Sequence, residues 1–220
     1  VWDNKDLIKE LNNVDWSPEE AIKTLTGKSD RVKEGTELNK ENARINEKIL
    51  DNYDKFSKKI DEYYNVDIDE ITKTVKSSDW ADGKSESEIQ SKVNSIANSY
   101  AKAAYYKAYT DVMGADEAVK NILDDEQYEK FTSTGASSKS YMDYMIKEKE
   151  YTNAETLTDI DKASILYSMN LSDKDVVGIY STQIDKTDPS DKKSIAYAQS
   201  VGVSPNNYLK WKTQYANTKG

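Results

Sequence analysis

The 220-residue chain contains no cysteine and no histidine. Without cysteine there is no disulfide, no thiol nucleophile and no thiolate zinc site, and compartment redox leaves no mark on the sequence. Without histidine, Ser-His-Asp and Cys-His mechanisms are closed within this chain, and the imidazole ligands of a catalytic zinc are missing. Proline (three) and glycine (eight) are scarce, so few positions force a break in regular structure. Two phenylalanines stand against sixteen tyrosines and four tryptophans, so the large apolar surfaces are ones with polar tips. No apolar run approaches the roughly 18 residues of a membrane span. The opening "VWDNKDLIKEL" carries no apolar signal core and begins with Val1, which leads us to expect an excised or processed piece.

What is abundant is charge of both signs. Thirty-one Lys and Arg face forty Asp and Glu, a net charge of −9, interspersed along the chain. Surfaces that track nucleic-acid phosphates gather basic residues on one face, and anionic bilayers select basic clusters. The expected partners are therefore proteins, with no nucleic acid and no membrane. An acidic helical protein can also mimic DNA, but that role wants carboxylates along one face. Here Lys follows acid closely, as in "KDLIKEL" and "IKEKEY".

Helix signals follow one another along the chain. In "SPEEAIKTL", Ser17 is placed as N-cap, Pro18 in the first turn and Glu20 as the reciprocal acid. From Leu38 to Tyr64 the positions Ile45, Ile49, Tyr53, Phe56, Ile60 and Tyr63 recur at helical spacing, predicting a long amphipathic helix whose seam needs a partner helix. Asp67 is read as the cap of a short helix with an acidic first turn. Ser85 and Glu88 form a capping box for a helix in which Ile89, Val93, Ile96, Tyr100 and Ala104 line one face and Gly114 is the stop. Shorter helices are expected at 115–122, 125–132, 137–149, 159–169, 173–183, 190–200 (capped by Ser190) and 205–217. Period-two alternation is absent, so the expected fold is all-α, a multi-helix array.

Two stretches share an order of residue types. "STGASSKSYMDY" begins at Ser133 and "SVGVSPNNYLKW" at Ser200, 67 positions on. In each, Gly135 or Gly202 would end one helix in the left-handed conformation, and Ser137 or Ser204 would cap the next. Tyr141 with Met142 and Tyr144, or Tyr208 with Leu209 and Trp211, would pack the new helix down. With 101–119 aligned loosely on 161–179, we expect an N-terminal helical region at 1–84 and a repeat region at 85–220, its two units at about 95–153 and 155–218.

Candidates for chemistry give way to simpler readings. "VDIDE" (Asp67, Asp69, Glu70) suggests calcium, but the sixth position of an EF-hand loop counted from Asp67 is Thr72, where glycine is required. "DWADGKSESE" (Asp79, Asp82, Gly83, Ser85, Glu88) is explained by a turn and a capping box. A carboxylate-pair hydrolase needs two acids facing one cleft, and no acid, Glu47 included, is marked for that role. No cofactor or metal site and no catalytic residue is expected. The residues selected for packing and contact are Tyr53, Phe56, Tyr100, Tyr106, Gly135, Tyr141, Gly202, Tyr208 and Trp211, since tyrosine and tryptophan are enriched where one end is buried and the other wet.

Lys162, Ala163, Tyr167, Asp173 and Lys174, followed by Gly202, Val203, Ser204, Tyr208 and Leu209, form a pattern that resembles helical segments of very large phage and prophage proteins of Firmicutes. "SIANSYAKAAYYKAY" is similar to the helix preceding such segments, so the resemblance covers roughly 85–220. It implies a virion-associated structural or internal protein, found in the particle or in the host cytoplasm during assembly, with no catalytic residues. Two alternatives stay open: a phage-encoded inhibitor of a host or defence protein, and a carboxylate-dependent hydrolase.

Overall fold

The computed structural model describes residues 53–151, 157–185, 188 and 190–216, with the side chains of 53, 54, 215 and 216 excepted. The chain is all-α, with no strand among the described residues. The cap read at Ser17 and the seam positions Ile45 and Ile49 lie outside them. The described residues form two compact units, one of 53–118 with 149–151 and the other of 119–148 with 157–216. This partition differs from a boundary at residue 84, because the helix opening at Glu86 packs with the helices before it.

In the first unit, α1 (Tyr53–Tyr63) and α2 (Ile68–Lys76) both pack on the 28-residue α3 (Glu86–Met113), with a 3-10 turn at Asp79–Ala81. The predicted spacing of Phe56 and Ile60 delivers both into the core. Phe56 is 1% exposed and stands edge-on to Tyr105 and Tyr109, with ring centroids 5.5 and 6.4 Å apart. Burying such a side chain stabilises by about 1.5–3 kcal/mol, and edge-to-face geometry adds to it. Buried Ala97, Ala101, Ala104 and Ala108 recur at steps of three and four, keeping one stripe of α3 thin enough for close approach. A second cluster joins Val75, Ile89 and Val93, flanked by Ile71, Trp80 and Ile96.

The local signals act as the residue types dictate. The Asp67 carboxylate accepts from the amides of Asp69 and Glu70, both at 3.0 Å, and opens α2. Ser85 and Glu88 close a reciprocal capping box. The Ser85 amide and hydroxyl donate to the Glu88 carboxylate and lower its pKa to about 2. Gly114, at φ +88°, ends α3.

The unit boundary falls inside α4 (Ala115–Ile122). The second unit holds α5 (Asp125–Ser133), α6 (Ser138–Glu150), α7 (Asp159–Ser168), α8 (Asp173–Gln183), α9 (Ile195–Ser200) and α10 (Pro205–Ala216). Helix α8 is its axis, in contact with α5, α7, α9 and α10. Every residue from Val176 to Thr182 is buried, so this stretch of α8 is enclosed on all sides. Its buried hydroxyls donate back to its own carbonyls, Ser181 to Val177 at 2.6 Å and Thr182 to Gly178 at 2.9 Å. Where the α5–α6 turn meets α8, residue 178 is glycine because nothing larger fits. A Cβ there would lie 2.5 Å from the Ala136 Cβ and 2.7 Å from the Thr134 hydroxyl.

The turn shared by "STGAS" and "SVGVS" is real, and among the described residues it occurs three times. The third copy is "SMNLS", Ser168–Ser172, lying between the other two. Its left-handed residue is Asn170 at φ +51°, where the sister turns have Gly135 at +71° and Gly202 at +85°. Asparagine tolerates this region better than other side chains do. In all three, the leading serine donates to the carbonyl three residues back, at 2.7 Å each time (Ser133 to Lys130, Ser168 to Ile165, Ser200 to Tyr197). The closing serine then receives the amide three residues on, at 3.4, 3.3 and 3.2 Å for Ser137, Ser172 and Ser204. Four residues after that cap a buried side chain pins the new helix: Tyr141, Val176 and Tyr208. The 67-residue spacing is thus two steps, of 35 and 32 residues.

Two expectations are corrected. Stretches 101–119 and 161–179 do not align by helix boundary, since the break at Gly114 falls opposite Lys174, inside α8, whereas the second stretch turns earlier, at 169–172. The helix placed at 190–200 begins only at Ile195, capped by Ser194. Asp188 takes the Ser190 amide at 2.8 Å and Asp191 the Lys193 amide at 2.8 Å, and these local turns compete with the helix.

Candidate interaction surfaces

The selected residues divide by exposure. Phe56 and Tyr141 are buried within their own units, Tyr141 edge-on to Phe131 at 5.2 Å. Tyr106 is half-buried beside Tyr105, and the side chain of Tyr53 lies outside the described residues. Gly135 and Gly202 hold turns. Tyr208 is buried and Trp211 exposed, while Tyr100 sits at the rim of a groove. The structure does not bring these residues together into one site.

The first candidate surface is the last corner with α10. Tyr208 stands edge-on to Tyr180 at 5.5 Å and donates to the Lys193 carbonyl at 2.6 Å. The Lys212 ammonium lies 4.9 Å from the Tyr180 ring centroid and bonds its hydroxyl. Burial pushes the Tyr180 and Tyr208 phenols above their usual range. The Asn206 amide ties the start of α10 to the preceding corner, reaching the Leu171 carbonyl at 3.3 Å and Asp173 at 3.1 Å. Beyond this fixed inner side, Val201 (57% exposed), Val203 (40%) and Trp211 (57%) face solvent. Sequence alone pointed to Trp211 but not to the two valines, whose exposure becomes visible only once the turn is built.

Trp211 stands seven residues after its cap serine. The same position in the sister corners is Tyr144 and Ile179, both 0% exposed. Helix α10 also contains no carboxylate in a chain that has forty.

The second candidate is a groove of about 400 Å³ in the first unit. Val66, Ile71, Ile96 and Tyr100 line it, and Asp67 and Glu70 add negative charge. The sequence marked Tyr100 and Asp67 separately, but not their meeting across α2 and α3. A second hollow of similar size lies beside Trp80, whose ring carries Lys92 and Lys84 at 4.9 and 5.5 Å.

Burial, with the Lys149 charge nearby, pushes the Lys102 ammonium down to about 8. The carboxylates with displaced pKa values (Glu88, Asp161 and Asp188) are all lowered by hydroxyl or amide donors. No group of three or more acidic side chains there is placed to hold a metal ion. No described helix is long and apolar enough to cross a membrane. No family model matches the chain, and comparison with curated proteins and with solved structures returns no match.

Proposed function

We propose that this chain is a non-enzymatic structural or assembly module of a bacteriophage particle, working through protein–protein contacts. The observation that carries the reading is Trp211: a packing position in two corners becomes, in the third, an aromatic residue on the outer surface. Exposed tryptophan is among the residue types most enriched at contact anchors. The phage assignment rests on the resemblance of residues 162–174 and 202–209 to phage and prophage helical segments. On this reading the partners are other particle components or further copies of the chain, and the module is found in the particle or in the host cytoplasm before assembly.

An inhibitor of one host or defence protein would use the same kind of surface, and timing separates the two. In an infection or induction time course, an assembly module is made late and sediments with particles in a density gradient. Early synthesis, with all of the protein in the soluble fractions, would overturn the assembly reading in favour of the inhibitor.

A further inference from the structure

The two candidate surfaces are complementary to each other. The α10 surface presents an indole and a lysine, Lys210, on a helix without acids, and the turn before it carries the exposed Val201 and Val203. The groove presents the opposite: an apolar lining of Ile71, Ile96 and Tyr100 with the carboxylates of Asp67 and Glu70, and no cation among its lining residues. At about 400 Å³ it has room for an indole. We propose that the occupant of the groove is the α10 surface of a second copy of this chain, with Trp211 seated between α2 and α3 and Lys210 beside Glu70. This rests on the assembly reading above and names the surface it would use.

Two features favour a second copy over another partner. Net charge of −9 makes copies repel at long range, so a self-contact has to match locally opposite charges. The acid-free α10 and the acidic groove do so. Secondly, knob and groove are different surfaces carried by one chain. Their pairing is heterologous and leaves a free knob and a free groove at the ends of every open complex. Such a contact grows into rings or open chains, as an assembly module requires.

The test blocks each side separately. One variant, Lys210→Glu with Trp211→Ser, loses the knob. The other, Glu70→Lys with Tyr100→Ser, loses the groove. All four positions are exposed, and far-UV circular dichroism with thermal unfolding verifies that both variants fold. By sedimentation velocity, the wild-type chain should associate with a dissociation constant on the order of 10⁻⁵–10⁻⁴ M, as small interfaces give. About 0.5 M salt should weaken it. Each variant alone should remain monomeric, and an equimolar mixture should form a dimer and nothing larger, joined by the one intact knob and the one intact groove.

A wild-type chain that stays monomeric at about 1 mM, well above that range, overturns the proposal. So does a groove variant that still associates, which would point to pairing of two α10 surfaces, or a knob variant that does. A monomeric chain found stoichiometrically in particles would remove this contact and leave the assembly reading standing. A self-associating chain absent from particles would do the reverse.

Discussion

At the scale of single residues, the turn positions decide where helices stop. Gly202 sits at φ +85° with nothing within 4 Å of where a Cβ would be, so the cost of substitution there is conformational alone. Gly202→Val is expected to destabilise the fold by about 1–3 kcal/mol, because a branched side chain must enter the left-handed region. Gly202→Asn should cost clearly less, since asparagine already holds the equivalent position at Asn170. Urea titration of the two variants measures the order. Equal stability for both would mean that the left-handed turn does not fix this corner.

The same residues show what the sequence made legible. Two of the three corners were visible because glycine marked them. "SMNLS" carries the same serines and the same apolar neighbours, but its Asn170 has several common uses and so gave no distinct signal. Reading the pattern as Ser-x-Gly/Asn-x-Ser recovers all three. The capping box of Ser85 and Glu88 and the stop at Gly114 were legible for a similar reason, since each is satisfied by residues within a few positions of one another. The late start of α9 was not, because Asp188 and Asp191 each offered the backbone an alternative to helix.

At the scale of elements, α8 carries the second unit. Its charged first turn and buried continuation make it an unusual helix, closed round by four others. Nothing in "DKDVVGIYSTQ" announced that position, because burial on every side depends on partners distant in sequence. Gly178 is the point of closest approach. Gly178→Ala would gain helix propensity of up to about 1 kcal/mol. Against this, the new methyl would stand 2.5 Å from Ala136 and force the α5–α6 turn outward. We expect a net loss of about 1–3 kcal/mol, the usual range for overpacking, seen as a lower denaturation midpoint. A stabilised variant would show that the turn can retreat freely and that α8 is not tightly packed.

At the scale of the whole molecule, tyrosine does the work usually shared with phenylalanine, and this sets its response to pH. Burial holds the phenols of Tyr105, Tyr144 and Tyr180 protonated well above the ordinary tyrosine range. The unfolded chain releases those protons near pH 10. Below that pH the folded state loses nothing. Above it the unfolded state binds fewer protons than the native one, so stability falls as pH rises. Absorbance at 295 nm should therefore show exposed tyrosines ionising first, then a step that coincides with loss of helix by circular dichroism. A smooth titration of all sixteen with the helix intact would contradict the burial described here.

The surfaces proposed for assembly were only partly readable, since a groove is a meeting of residues that sequence keeps apart. Tyr100 and Asp67 were each marked for their own reasons, and the fold makes them neighbours. The central proposal, that the chain is part of a phage particle, is tested most directly by quantitative mass spectrometry of particles purified from cultures of its source after infection or induction. The account predicts peptides from this chain at a stoichiometry matching known particle proteins. Their absence, from particles in which those proteins are fully covered, would contradict it.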